Sequence, residues 1–401
     1  MQYRIYGKNL GFKVSALGMG CMRLPQIVDE VNGRAEVDKD KAFELIRYAV
    51  DHGVNYFDTA YGYHAKASEA VLGEALETFQ CRDKVKIVTK QPFGVMSDLS
   101  SGGGKTIKDN ARRNLENTLA KLRTSYLDVY LIHAIGKSSW GDTKQEKIIE
   151  AYEQFRAEGL IRGIGFSYHG DFDCFKDVLS YYSWDMCQIQ QNFIDVERET
   201  TVQGIRLAGE KGVALVIMEP LRGGLLATPP APIKALYEEY ERETGAPQRS
   251  AVEWAFRHLL NYPEVSVILS GTTTLAQLAE DIEIFSKPES VPGCLTDGES
   301  ELLSRVKTKY ESLKAIPCTG CQYCMPCAQG VEIPGVFARY NDGMMFGNFD
   351  QPRRSYMFTT RAGRDASKCV ACGACEKKCP QGINIIDKLK TAHEKLKGWI
   401  E

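Results

Sequence analysis

The chain has 401 residues, a formal net charge of -2 and an apolar share of 43%, the make-up of a globular protein with material for two or three domains, or for one large barrel and an appendage. So small a net charge gives no footing for nucleic acid or an anionic membrane surface as partner. The opening MQYRIYGKNLGF lacks an apolar signal core, and no run approaches the roughly 18 apolar residues of a membrane span, so the expectation is a cytoplasmic protein.

From the N-terminus, YRIYGKNLGFKVS (3–15) reads as a small hairpin, a candidate plug for the lower end of a barrel. Eight β-branched runs then succeed one another: VSALGMG (14–20), NYFDTA (55–60), VKIVTK (85–90), LDVYLIH (127–133), IRGIGFS (161–167), MCQIQQN (186–192), VALVIME (213–219) and VSVILSG (265–271). Between them lie stretches such as DKAFELIRYAVDHG, TIKDNARRNLENTLAKL and QRSAVEWAFRHLL, with apolar residues three and four apart, the helix period. Strands separated by crossover helices make parallel sheet, and eight such units close most naturally into a (β/α)8 TIM barrel over 1–295. An open doubly wound sheet is the alternative, but no glycine-rich nucleotide turn succeeds the first strand.

Barrel chemistry gathers at the C-terminal ends of strands. In order, those ends present Asp58, Tyr63 in the next loop, Lys90, His133, Ser167, Gln188 and the LRGG turn (221–224). A tyrosine with a reference pKa of about 10 is a poor acid at neutral pH. A nearby lysine ammonium lowers that pKa, an aspartate holds the lysine charged, and a histidine opposite orients a carbonyl oxygen. Each of the four has a plainer reading as a solvated charge or a packed core residue, but together they form a proton-transfer device. SDLSSGGGKT (97–106) lacks P-loop spacing and reads as a rim loop.

FDTAYGYHAKASEAVLGEAL, IVTK, YLDVYLIH and PLRGGLL resemble the aldo-keto reductase superfamily over roughly residues 1–290. The resemblance implies a catalytic tetrad at Asp58, Tyr63, Lys90 and His133, and hydride transfer from NAD(P)H to the carbonyl carbon of a small molecule while Tyr63 protonates the oxygen. In the cofactor pocket, the family's Ser-Asn pair stands here as Ser167 followed by Tyr168, and its glutamine as Gln188. The aromatic that stacks on nicotinamide aligns with Met218. The arginine for the 2′-phosphate aligns with Gln277, while Glu280 keeps a family acid. The loops after strands seven and eight, with Leu221, Gly223 and Gly271, are the expected place for a dinucleotide or another phosphate-bearing cofactor.

After a Pro- and Ser-containing linker, FSKPESVPGCLTDGES, and the helix-like ESELLSRVKTKYESLKA, the chain turns to cysteine. Eight of its 13 cysteines fall between Cys318 and Cys379, and the scattered Cys21, Cys81, Cys174, Cys187 and Cys294 read as small buried hydrophobes. CTGCQYCMPCAQGVEIP (318–334) is echoed by CVACGACEKKCPQGINI (369–385), an internal duplication. The second run is the bacterial ferredoxin pattern, in which three close thiolates serve one [4Fe–4S] cluster and the distant fourth serves the other. Cys318, Cys321, Cys324 and Cys379 are thus expected at one cluster, and Cys369, Cys372, Cys375 and Cys327 at the second. Cys327 departs from the pattern, coming after two residues and preceding Ala328 instead of proline. Zinc is the rival, although two triplets and a Cys-Pro exceed what four-cysteine zinc sites use. The span 296–401 is expected to be a mainly α-helical di-cluster domain, with Tyr340, Phe346, Phe349, Tyr356 and Phe358 packed inside it or on the barrel.

Nicotinamide carries hydride, whereas clusters move single electrons, and flavin is the mediator able to do both. Three readings are open. One is an oxidoreductase whose clusters exchange electrons with a ferredoxin- or flavodoxin-like partner. The second is an ordinary NAD(P)H-dependent carbonyl reductase with structural or redox-sensing clusters. The third is a non-enzymatic electron carrier or sensor, which has no need of a complete tetrad.

Overall fold

The structure, a computed structural model, describes residues 1–28, 35–98, 106–141, 144–197 and 199–398. Eight strands close into an all-parallel barrel: β1 (Leu17–Gly20), β2 (Tyr56–Asp58), β3 (Lys86–Pro92), β4 (Leu127–Ile135), β5 (Ile161–Tyr168), β6 (Met186–Gln190), β7 (Ala214–Met218) and β8 (Val265–Ser270). Around the sheet they run β6-β7-β8-β1-β2-β3-β4-β5, with β5 paired to β6 to complete the ring. Each expected strand is present, and the crossover helices carry the caps their sequences announce. Thr106 accepts the Asp109 N–H at the start of Ile107–Leu122, while the Asp109 side chain accepts the Thr106 N–H. That capping box satisfies donors the first turn leaves free. The rim stretch 97–106 lies mostly outside the described residues.

The first expected strand, 14–20, is divided. Lys13–Ser15 pairs antiparallel with Tyr3–Ile5, and Ala16 gives its N–H to the Gln2 carbonyl before β1 begins. The hairpin serves as the barrel's floor. Tyr6 is hydrogen-bonded through its hydroxyl to that of Tyr56 at 3.0 Å and stacks on Phe12 at 5.0 Å. Around these rings the inward residues Val88, Val129, Leu131, Met186, Val216 and Val267 form one apolar cluster. The interior is a packed core, so chemistry is left to the strand ends.

The described chain divides into two compact units, Met1–Leu221 with Val252–Thr296, and Arg222–Ala251 with Asp297–Glu401. The sequence pattern alone places all of 1–295 in the barrel. Residues 222–251 group with the tail because helix Ala231–Thr244 packs on helix Asp297–Ser312, where Tyr237 and Tyr310 are both buried. Arg249 pairs with Glu299 at 3.0 Å, and Arg305 with Glu239 at 3.0 Å.

Among its described residues every regular element of the second unit is a helix. The duplication in sequence is a duplication in structure: each cysteine run leads through a buried pair into a helix. Val331 and Ile333 lead into Ile333–Phe346 as Ile383 and Ile385 lead into Ile385–Leu396, and all four join one core with Val336, Phe337 and Tyr356. Tyr340 and Phe346 are also buried and Phe349 half-buried, but Phe358 is a correction to the expected packing. It lies 64% exposed on helix Asp350–Arg361. That helix turns Tyr356 and Thr359 inward, which puts Phe358 between them on the outer side. Of the five scattered cysteines four are buried and Cys294 is half-buried.

Candidate functional site

Three strand ends assemble the acid–base group. Asp58 closes β2, Lys90 lies in β3, and His133 lies in β4 in register with Pro92. Tyr63 comes after β2 in a turn held by its N–H to the Ala60 carbonyl at 3.1 Å. Lys90 Nζ donates to Asp58 Oδ1 at 2.5 Å, to the Thr59 carbonyl at 2.9 Å and to Tyr63 Oη at 3.4 Å. The Tyr63 and His133 rings meet edge-on with centroids 6.0 Å apart. All four side chains expected to act together are therefore brought together.

Burial draws the Lys90 pKa down, but Asp58 and Tyr63 outweigh it, and the ammonium stays above the usual lysine value. Tyr63 corrects the expectation of a lowered phenol. Burial raises its pKa and the opposing Lys90 charge does not overcome that. His133 is held down to about 3, first by burial, then by the Lys90 and His169 charges. It is a neutral imidazole with one N–H to donate.

The turn carrying Tyr63 is strained. His64, Ala65 and Lys66 have φ of 50°, 53° and 77°, the left-handed region that non-glycine residues rarely enter. Three bonds hold it there: His64 Nε2 accepts the Leu24 N–H at 3.0 Å, Thr59 Oγ1 meets Ser68 Oγ at 2.9 Å, and Ser68 Oγ donates to the Cys21 carbonyl at 2.9 Å. Such strain persists only where the surroundings over-determine it. None of these positioning residues is legible in the sequence, because their partners are far apart in the chain.

The expected cofactor residues divide into two kinds. Ser167 and Gln188 stand opposite one another across β5 and β6, each 1% exposed. Ser167 Oγ accepts the Ala134 N–H at 2.8 Å, and Gln188 Oε1 is buried with no hydrogen-bond partner among the described residues. A buried acceptor without a partner fits a carboxamide N–H donor, as nicotinamide carries. Tyr168 supplies nothing there: its ring packs with Phe166 and Phe175, and its hydroxyl donates to the Asp171 carbonyl at 2.8 Å. Met218, at the end of β7, packs on the barrel interior. Gln277 is spent on its own helix, its Oε1 accepting from Thr273 N and Oγ1 and from Thr274 N. Gly271 is exposed and Glu280 half-buried. Leu221 ends one segment of the first unit, and Gly223, with φ of 71°, belongs to the second. Sequence patterns miss Asp281 altogether: it is buried next to Glu280, and burial pushes its carboxyl up to about 7 against a hydrogen bond from Ser270.

The eight clustered cysteines line two pockets in the second unit. Cys318, Cys321, Cys324 and Cys379 line one, while Cys327, Cys369, Cys372 and Cys375 line the other, which Cys324 also reaches. Each pocket thus takes three cysteines from one run together with one or two from the other, and such thiolate donor sets fit iron–sulfur ligation. Two buried side chains set the loops. Asn341 accepts the Ile316 N–H at 2.9 Å and donates to the Ile316 carbonyl at 2.7 Å, just ahead of Cys318. Tyr356 Oη accepts the Ala366 N–H at 3.0 Å, just ahead of Cys369.

The Aldo/keto reductase family profile matches residues 16–291, more than half of the chain. The chain belongs to that family. A 4Fe-4S dicluster domain comes next, at 317–383. Among relatives, the "uncharacterized oxidoreductase YqkF" of Bacillus subtilis is 26% identical over 293 residues, covering 67% of this chain and 87% of that one. The L-galactose dehydrogenase of Arabidopsis thaliana is 25% identical over 318 residues, covering 76% and 93%. The fold is shared with the aldo-keto reductase AKR11C1 of Bacillus halodurans, at TM-score 0.59 and 24% identity over 76% of this chain and 96% of that one. It is shared too with a Klebsiella pneumoniae aldo/keto reductase bound to NADP and acetate, at TM-score 0.56 and 19% identity over 75% and 93%. The chain is an oxidoreductase of this family carrying an iron–sulfur domain. Among the described residues no helix is long and apolar enough to cross a membrane.

Proposed function

We propose that the barrel reduces the carbonyl group of a small molecule at Tyr63, and that the iron–sulfur domain exchanges electrons with an external one-electron carrier. The observation that carries the first half is Lys90, whose ammonium reaches Asp58 and Tyr63 at once. A bound nicotinamide would supply the hydride, and passage of its electrons to the clusters would require a bound flavin to convert hydride into single electrons. Tyr63 gives its proton to the carbonyl oxygen, Lys90 stabilises the phenolate left behind, Asp58 keeps Lys90 charged, and the neutral His133 donates its N–H to the same oxygen. Gln188 and Ser167 are the residues to hold a carboxamide, and the two cysteine sets to hold clusters that pass electrons singly.

The test is anaerobic visible spectroscopy of the iron-loaded protein with NADH or NADPH, with and without 4-nitrobenzaldehyde. Bleaching of the iron–sulfur band by the nicotinamide, and its recovery on adding the aldehyde, is the expected result. Aldehyde turnover with no change in the band overturns the coupling and leaves a carbonyl reductase beside an independent redox module. No turnover in wild type or no loss of it in Tyr63→Phe overturns the carbonyl chemistry.

A further inference from the structure

The two cysteine runs are copies, so their differences are informative. From Ala315 to Val331 the first run carries no charged residue at all. The second carries Lys368, Lys377 and Lys378 against the single acid Glu376. Glu376, whose Oε1 accepts the Ile386 N–H at 2.9 Å near the start of helix Ile385–Leu396, offsets only one of the three charges. All three lysines are exposed, and none has an ion pair among the described residues. The imbalance spreads beyond the loop: residues 353–397 hold eleven Lys and Arg against four Asp and Glu, in a chain whose net charge is -2. Within this basic field Val370 is 61% exposed and Cys372 lies at the surface.

We propose that the surface around the second cysteine run, centred on Lys368, Val370, Cys372 and Lys377, is the docking site of a small acidic one-electron carrier protein, and that the cysteine set of Cys327, Cys369, Cys372 and Cys375 is where its electron enters or leaves. The proposal rests on the reading that the domain exchanges electrons with an external carrier, and it adds which face and which of the two sites. The lysines steer an acidic partner and the exposed valine gives the encounter a dry contact, the division of labour expected of a transient redox interface. Each encounter moves one electron between the carrier and this site, with no proton or group transferred. Tyr323, 64% exposed in the first run, sits in a stretch with no charged residue of its own between Ala315 and Val331.

The experiment uses the full iron-loaded chain under anaerobic conditions, with an acidic flavodoxin as probe. Stopped-flow mixing with flavodoxin hydroquinone follows bleaching of the iron–sulfur band, and calorimetry measures binding of oxidised flavodoxin. The expected second-order rate falls about tenfold or more from low to high salt. At low salt Lys368→Glu/Lys377→Glu slows it by a similar factor and weakens binding in parallel, while iron content and the extent of dithionite reduction stay those of wild type. A double variant reduced as fast as wild type overturns the proposal. So does salt-independent reduction of the wild type, which decides the matter if the variant loses iron. Tight binding to phosphatidylglycerol vesicles with no measurable flavodoxin binding overturns it in favour of a membrane surface. Because only the first electron is followed and no carbonyl is present, electrons that enter but never reach a carbonyl count against the proposed coupling and not against the docking site.

Discussion

Lys90 Nζ and Asp58 Oδ1 lie 2.5 Å apart with side chains only 1% and 3% exposed, an ion pair sealed at the mouth of the barrel. Desolvating both charges is expensive, and breaking such a pair leaves one charge buried alone, at about 3–5 kcal/mol. Lys90→Met is therefore expected to destabilise the barrel by about that much and to cut carbonyl turnover by ~10²–10⁴-fold. Denaturant unfolding and steady-state kinetics measure the two effects. A variant as stable and active as wild type would remove the pair from the mechanism.

The pH profile depends on the two partners of the oxygen. In the proposed reaction Tyr63 is the acid, so activity is expected to persist while it is protonated and to be lost as pH rises through its pKa. Since burial raises that pKa, the alkaline limb belongs above the ordinary tyrosine value of about 10. His133, held to about 3, adds no inflection at the ordinary histidine value of about 6.5. An acid limb near neutrality that vanishes in His133→Gln would contradict this.

Gln188 and Tyr168 separate cofactor binding from packing. Replacing Gln188, whose Oε1 has no partner among the described residues, by Met is expected to raise KM for the nicotinamide by about tenfold with a smaller change in kcat, the loss of roughly one hydrogen bond. Tyr168→Phe removes the hydroxyl's bonds to the Asp171 carbonyl and to Cys174, and its expected signature is about 1 kcal/mol of stability with KM unchanged. The reverse pattern would mean that Tyr168 serves the cofactor.

Asp281 offers a stability test. Its carboxyl is buried and raised to about 7, above the unfolded value of about 3.9. An acid with a raised folded pKa contributes stability that is full below the unfolded pKa and lost as pH rises through the folded one. At pH 8, Asp281→Asn is expected to gain up to about 4 kcal/mol, at 1.36 kcal/mol per pKa unit, and the gain should fade towards pH 4. Thermal unfolding across that range is the measurement; a gain independent of pH would point to packing instead.

In the second unit Asn341 stitches both polar groups of Ile316 two residues before Cys318. Asn341→Ala strands a buried N–H and a buried carbonyl at about 1–3 kcal/mol each. The expected result is loss of iron from the cysteine set containing Cys318, with Cys372→Ser emptying the other. Iron and sulfide analysis with electron paramagnetic resonance tells the two apart. Full iron in both variants would unseat the ligand assignments.

What is legible in the sequence reflects how local each signal is. Eight strand runs can be read because each is a local pattern, and strand ends in a barrel point to one rim, so chain order brings Asp58, Lys90 and His133 together. The cysteine runs are legible because three cysteines of each pocket come from one short stretch, while the remaining ones come from the other run. The first strand reads too long, because KVS serves the hairpin as readily as the barrel and only pairing with Tyr3–Ile5 settles it. The place of 222–251 is hidden because helix Ala231–Thr244 finds its partner some sixty residues on, in Asp297–Ser312. Phe358 is misplaced because an aromatic in a helix shows its facing only once neighbouring helices are known.

By itself the sequence determined the barrel, the helical tail, the residue types at the strand ends and the two cysteine runs, since each depends on a short pattern in one stretch of chain. Tertiary structure decided how those residues are poised. Burial raises Tyr63 where Lys90 alone would lower it, and packing ties the Tyr168 hydroxyl to the Asp171 carbonyl while the buried Gln188 Oε1 is left without a partner among the described residues. Glu376, held at a helix start, offsets one charge of Lys368, Lys377 and Lys378, which leaves a net positive charge at the surface. Desolvation and hydrogen-bond partnership depend on groups distant in the chain, and only folding chooses them.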